Sequence, residues 1–249
     1  MEMNIERERI RMRTLAEMIQ ESNYTVVFTG AGMSTESGLP DFRSAKGGLW
    51  EKFNPEELAN VHALENNEAA FLAFYQSRLA DVKAFAPHQG HHVLASWEKK
   101  NRIQGIITQN VDGFHHDAGN TKVMELHGTF RKLYCHHCGQ AFQQDDYVQG
   151  TVHCTCGGPI RPGIVLFGEM LPEDAFRQAE KAALKAELFI VLGSSLTVTP
   201  ANMFPVLAKE NGAKLVIVNH DATPLDRMAD LVIQDQQIGE LLTAVDQAL

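Results

Sequence analysis

Apolar residues fall along the chain in two rhythms. Short unbroken runs, YTVVFT at 24–29, GIIT at 105–108, LFIVLG at 188–193 and KLVIVN at 214–219, have the length and the β-branched content of strands buried on both faces. Val123–Leu126 and LVI at 231–233 read as a further strand and an edge strand. Between them the spacing turns helical: Ile5, Met12, Leu15 and Ile19 recur on one face of 4–21, and 66–82, 88–99, 174–186, 201–211 and 238–248 follow the same period. Strands alternating with helices predict an α/β fold: a parallel sheet covered by helices on both faces. Residues 131–160 break the alternation. They are polar, end in Gly-Gly-Pro, and read as an insertion with a small fold of its own.

The polar residues that end the apolar runs carry the candidate chemistry. GAGMSTESGLPDFR, residues 30–43, follows the first strand. A glycine turn at that place lets the backbone approach a pyrophosphate and aims helix N–H groups at it. The stretch has Thr35 where the common fingerprint has its third glycine, and no second strand follows some 20 residues on with an acidic end for a ribose. Asn219, ending KLVIVN, is the better ribose or adenine candidate. Asp41 and Arg43 flank Phe42, an arrangement suited either to a surface ion pair with a core anchor or to covering a flat cationic ring. Gln109, Asn110 and Asp112 follow GIIT, and amide and acid groups there are costly to bury unless paired. His127-Gly128 follows the next strand, and imidazole chemistry suits a general base near neutral pH. Gly193-Ser194-Ser195 ends LFIVLG and offers hydroxyls and N–H groups to a phosphate or ribose. In open parallel sheets ligands bind outside such carboxyl ends.

Composition narrows the class. The chain has 249 residues and a net charge of −9, which argues against a general nucleic-acid footprint. No apolar run reaches the roughly 20 residues of a membrane span, and the charged start MEMNIERERIRMR has no apolar signal region. A cytoplasmic protein is expected. In that setting Cys135, Cys138, Cys154 and Cys156 read as metal ligands, with His136, His137 and His153 close enough in sequence to substitute for one of them. PHQGHH (88, 91, 92) and His115-His116 read as helix-start or surface histidines.

In family order, GAGMSTESGLPDFR, TQNVDGFH, His127-Gly128, the four-Cys segment, RPGIVLFGE (161–169), GSSL (193–196) and Val218-Asn219 resemble the sirtuins, NAD-dependent protein-lysine deacylases. The resemblance covers nearly the whole chain. It implies a Rossmann-like large domain (about 1–45, 100–130 and 161–249) and a small domain from insertions (about 46–99, helical, and 131–160, a zinc ribbon). It also implies catalysis by His127, Asn110 and Asp112. NAD would be held by Ala31, Thr35, Phe42, Arg43, Gln109, Val111, Asp112, His127, Ser194, Ser195, Asn219 and Asp221. An acyl-lysine tunnel would be lined by Val165, Phe167 and Gly168, and structural zinc held by the four cysteines, although Cys154-x-Cys156 is one residue tighter than the common spacing. The implied partners are acylated lysine-containing proteins, acted on by a monomer. The implied reaction passes the acyl group to ADP-ribose and releases nicotinamide. A mono-ADP-ribosyltransferase and a non-catalytic NAD sensor are the rival activities. Tyr75 and Arg78 share a helix face at i and i+3; one branch of the family uses such a pair for acidic acyl groups, which would make a desuccinylase or demalonylase. Otherwise the two read as a half-buried tyrosine and an exposed arginine.

Overall fold

The computed structural model describes residues 2–41, 54, 58–234 and 236–249, with side chains from residue 10 onward. The apolar runs become strands β1 (Thr25–Thr29), β2 (Gly105–Thr108), β3 (Val123–Glu125), β7 (Leu188–Leu192), β8 (Lys214–Val218) and β9 (Leu231–Ile233). They form one sheet in the order β3-β2-β1-β7-β8-β9, and every neighbouring pair is parallel. All five residues of β1 and of β7 are buried, as expected of a sheet with both faces covered.

The period of two sends alternate residues to different cores. Val27, Ile190, Leu192, Val216 and Val218 pack with α1 (Glu2–Glu21), α4 (Gln89–Lys99) and α9 (Ile238–Ala248) through Leu15, Ile19, Leu94, Trp97 and Leu242. Val26, Phe28, Phe189, Val191, Leu215 and Ile217 face the other way, onto α7 (Glu173–Lys185) and α8 (Met203–Glu210) through Ala179, Ala183, Phe204 and Ala208.

The chain leaves this sheet twice. Helices α2 (Ala63–Asn66) and α3 (Glu68–Ala84) lie between β1 and β2 in sequence. β4 (Gly128–Cys135), β5 (Ala141–Phe142), α6 (Gln144–Val148) and β6 (Ile160–Ile164) form a separate antiparallel sheet in the order β5-β4-β6. The apolar pattern predicts neither β4, which mixes exposed and buried positions, nor β5, whose two residues are exposed and half-buried. The small sheet shares its apolar cluster with α3: Leu133, Ile160 and Tyr147 pack with Phe71, Phe74 and Tyr75. The helix α5 (Phe114–Ala118) follows β2. Among the described residues no helix is long and apolar enough to cross a membrane.

Candidate functional site

Strand order reverses between β1 and β7, since the chain adds β2 and β3 on one side and β8 and β9 on the other. A crevice opens at such a reversal. Here the loops leaving the two strands touch: the Gly30 N–H donates to the Leu192 carbonyl oxygen at 3.1 Å and the Gly32 N–H to that of Gly193 at 2.9 Å. A Cβ on Gly32 would lie 2.8 Å from the Gly193 Cα, and one on Gly193 2.3 Å from the Met33 nitrogen, where φ is also +63°. The glycines therefore let two loops meet, besides opening a path to any ligand. Thr35, at the place of the missing third glycine, lies in a short 3-10 helix (Ala31–Ser37), and its hydroxyl donates back to the Gly32 carbonyl oxygen at 2.9 Å.

A cleft of about 1660 Å³ lies over this reversal point. It is larger than the roughly 300–1,000 Å³ of a site for one small ligand. Ala31, Thr35, Gln109, Asn110, Val111, Asp112, His127, Ser194, Ser195, Asn219 and Asp221 all line it, as do Val165, Phe167 and Gly168 from the loop after β6. Phe42 and Arg43 lie outside the described residues.

At the centre is a buried polar network. The Ser34 hydroxyl donates to Asp112 Oδ2 at 2.7 Å, and the Phe114 N–H donates to Oδ1 at 2.9 Å. Asn110 Nδ2 donates to the Gly30 carbonyl oxygen at 3.0 Å and to Ser34 Oγ at 3.2 Å. Burial raises the Asp112 carboxyl above its ordinary value, against the pull of those two donors. Gln109 Nε2 donates to Ser194 Oγ at 2.8 Å, joining the ends of β2 and β7. Ser195 pairs with Thr197 at 2.9 Å, and Asn219 Nδ2 donates to the Asp221 carbonyl oxygen at 2.7 Å.

His127 lies between β3 and β4 with Nδ1 3.0 Å from the Gln109 carbonyl oxygen. A carbonyl oxygen only accepts, so the neutral ring carries its proton on Nδ1 and its basic lone pair on Nε2.

Tyr75 and Arg78 also line the cleft, and both are buried. The sequence reading of an exposed arginine and a half-buried tyrosine is thus corrected: α3 turns this face onto the small sheet, where the Tyr75 ring lies 6.3 Å from that of Phe130 in β4, with Phe71 and Phe74 of its own helix 4.6 and 5.0 Å away. Arg78 Nη1 donates to Asp81 Oδ2 at 3.1 Å. A second correction concerns the histidines. His88 caps α4 as expected, accepting from the Gly90 N–H at 3.1 Å, but His91 and His115 are core residues, 0% and 2% exposed.

Sequence reasoning did not single out Ser34, although it lies within GAGMSTESG and joins Asn110 to Asp112. It also missed Gln236, Gln237 and Ile238, which bring the start of α9 to the cleft, and the cleft-facing side of α7 at Glu173, Arg177 and Glu180. A hydroxyl in a glycine-rich loop is a readable signal; the approach of two distant helices is not.

The metal donors are separate from the cleft residues. Cys135 and Cys154 each begin a tight turn closed by the N–H of Gly139 and of Gly157, both at positive φ. The four sulfurs lie within 4.8 Å of one another, with Cys135 and Cys156 3.5 Å and Cys138 and Cys154 3.7 Å apart. Tetrahedral zinc with bonds of about 2.3 Å spaces its sulfurs about 3.8 Å apart, so the set fits a closed structural zinc site. His136, His137 and His153 are not in the group, and His153 turns instead to Glu68, 2.8 Å away.

Residues 30–200 match the model of the Sir2 family. The chain is 57% identical over 231 residues to an NAD-dependent protein deacetylase of Oceanobacillus iheyensis, covering 93% of this chain and 98% of the relative. It is 52% identical over 236 residues to an NAD-dependent protein deacetylase of Geobacillus kaustophilus, covering 95% and 98%. Its structure is similar, with a TM-score of 0.90 and 36% identity over 96% of this chain and 98% of the other, to a Sir2 variant with deacetylated p53 peptide and 3′-O-acetyl-ADP-ribose.

Proposed function

The chain belongs to the Sir2 family, and we propose from that premise how its own residues carry out its activity, the NAD-dependent removal of acetyl groups from protein lysine. NAD, when bound, would supply a ribose carbon that bonds to the acyl oxygen as nicotinamide leaves, and a neighbouring ribose hydroxyl that takes the acyl group, with one water consumed as free lysine and O-acyl-ADP-ribose form. The loop hydroxyls and N–H groups of Ala31, Thr35, Ser194 and Ser195 suit the phosphates, and Asn219 and Asp221 suit the adenosine end. Asn110, Asp112, Gln109 and Val111 form the wall for the ribose and nicotinamide. His127 takes a proton from a ribose hydroxyl through Nε2, because Nδ1 is committed to Gln109. Phe42 and Arg43 are assigned to cofactor binding on the sequence resemblance. Val165, Phe167 and Gly168 line the entry of the acylated lysine, whose neutral side chain crosses an apolar wall at less cost than an ammonium would.

The substrates are acylated lysine-containing proteins, and four free thiols suit a cytoplasmic protein. The described cleft walls all come from one chain, which suits a monomer. Its walls come from a large domain (about 1–45, 100–130 and 161–249) and a small one (about 46–99 and 131–160).

The observation that carries the reading is His127, with its tautomer fixed, on the same cleft wall as the Ser34–Asn110–Asp112 network. The test is incubation with NAD and an acetyl-lysine peptide, following nicotinamide and O-acetyl-ADP-ribose by mass spectrometry. Wild type should form both, and His127→Ala should be slower by roughly 10²–10⁴. No product from wild type, or full activity in the variant, overturns the assignment. A second reading concerns the acyl group. Arg78 is a buried guanidinium on the cleft wall, and a carboxylate such as that of succinyl-lysine can pair with it bidentately. Arg78→Ala should then lower the succinyl-to-acetyl rate ratio; an unchanged ratio removes the idea.

A further inference from the structure

Behind the cleft wall, α4 and α5 bury a row of histidines that the proposed reaction does not use. The rings of His88 and His91 have centroids 4.5 Å apart, and those of His91 and His115 5.0 Å. Among the described residues neither ring nitrogen of His91 has a hydrogen-bond partner, and Phe114 packs edge-on against it at 5.8 Å. His115 differs. Its Nε2 lies 2.9 Å from Thr29 Oγ1, which donates to Thr108 Oγ1 at 2.7 Å. Thr108 Oγ1 also accepts the Asn110 backbone N–H at 3.0 Å. Thr29 and Thr108 are the paired last residues of β1 and β2, and both are buried. The polar chain thus runs from the core to the backbone of Asn110 in the cleft wall.

Its direction follows from the donors. The single hydroxyl proton of Thr29 goes to Thr108, so the His115 nitrogen facing Thr29 must itself be the donor. That places the ring proton on Nε2 and leaves Nδ1 a bare lone pair, and Nδ1 is the atom of this ring without a partner among the described residues. Burial, with smaller contributions from His116 and His88, pushes the His115 imidazole down to about 3, so the ring is neutral in ordinary buffers.

We infer that His115 is a positioning residue for the cofactor cleft, acting through Thr29 and Thr108 to hold the backbone of Asn110. The consequence is local. Asn110 bridges the Gly30 carbonyl oxygen and Ser34, and through Ser34 it fixes Asp112. If the relay breaks, Thr108 Oγ1 reorients, the Asn110 N–H loses its partner and the network in front of it loosens. Among the described residues that line the cleft, Thr29, Thr108 and His115 are absent.

The inference rests on the reading that this cleft binds NAD, and two readouts keep the two separable. The first is calorimetric titration of the purified protein with NAD. The second is hydrogen exchange at the Asn110 amide, which needs no ligand. Thr29→Val keeps the shape and deletes the relay's middle hydroxyl. It should weaken NAD binding about tenfold, the effect of one lost or unsatisfied buried hydrogen bond, and speed exchange at Asn110 while Val27 and Phe28 stay protected. His115→Leu should do the same. His115→Gln, whose amide can donate in place of Nε2–H, should restore both readouts toward wild type. The double variant Thr29→Val/His115→Leu should be no weaker than either single one, because both break the same chain. NAD affinity and Asn110 exchange unchanged in Thr29→Val and His115→Leu would overturn the inference, and so would equal effects of His115→Gln and His115→Leu. If Thr29→Val does not fold, the His115 pair decides alone. Failure of wild type to bind NAD would sink the reading of the cleft, with Asn110 exchange still testing the relay.

Discussion

The two sheets of this molecule are held together by different physics. In the large sheet, β1, β7 and β8 send alternate side chains into two separate apolar cores, so each strand is fixed from both faces. In the small sheet, β4 mixes buried with exposed residues and β5 is two residues long. Its apolar cluster is borrowed largely from α3, and two of its four cysteines, Cys138 and Cys156, are exposed. A sheet with two covered faces is stabilised by burial alone. A three-stranded sheet with one covered face needs ligation, because too little apolar area leaves water to offset the chain entropy lost on ordering.

Removing the metal should break that comparison open most widely. Structural zinc contributes on the order of 10 kcal/mol to the folding of small modules. Chelation, or Cys135→Ser with Cys154→Ser, should abolish amide protection in β4 and β6 and leave that of β1 and β7 intact. One zinc per chain should be lost with it. If both sheets lose protection together, they are one cooperative unit and the contrast fails.

How much of this was legible from the chain follows the same division. The strands of the large sheet were visible because double burial writes an unbroken apolar run, and the polar residues that end those runs, from Gly30 to Asn219, do converge on one cleft. The strands β4 and β5 were not visible, since a one-sided sheet that borrows its core has no apolar run to show. Arg78, His91 and His115 were misplaced for a related reason. Their burial is decided by the elements packed over them, α3 on the small sheet and α4 against α5, and polarity in sequence says nothing about that. The glycines were read as letting the backbone approach a pyrophosphate. What the sequence could not tell was that Gly32 and Gly193 approach each other.

The next largest effect should come from Arg161, which joins the small sheet to the cleft loop. From β6 it donates to Glu169 Oε1 at 2.7 Å, to Oε2 at 3.0 Å and to the Ile164 carbonyl oxygen at 2.8 Å, and Glu169 Oε2 also accepts the Leu166 N–H at 2.8 Å. The guanidinium is buried, while the Glu169 side chain is 30% exposed and can regain water. Arg161→Ala should therefore cost about 3 kcal/mol in urea unfolding, the low end for breaking a buried pair. The loss should appear as weaker protection of β6 and of 165–169, with β7 unaffected. Equal losses in both sheets would show that the joint, and not the small sheet, carries the stability.

The smallest of the three effects tests how well sealed the large sheet's core is. His91 is pushed far down by burial first and by the neighbouring His115, His88 and His92 next, and His115 lies at about 3. The unfolded chain binds a proton on each near pH 6.5, and the folded chain does not. Stability is therefore complete above about pH 6.5 and falls below it, by about 1.4 kcal/mol per pH unit for each ring. Asp112 and Glu125 are raised by burial and act with the opposite sign, taking up protons more readily when folded. The zinc thiolates add an acid dependence of their own. Both contributions are common to wild type and a His91→Leu variant, so they cancel in the difference. Between pH 6.5 and pH 5 wild type should lose about 2 kcal/mol more than His91→Leu in urea unfolding. Parallel curves would mean that His91 takes up a proton while folded, and that water reaches a core whose double burial is the basis for calling it self-sufficient.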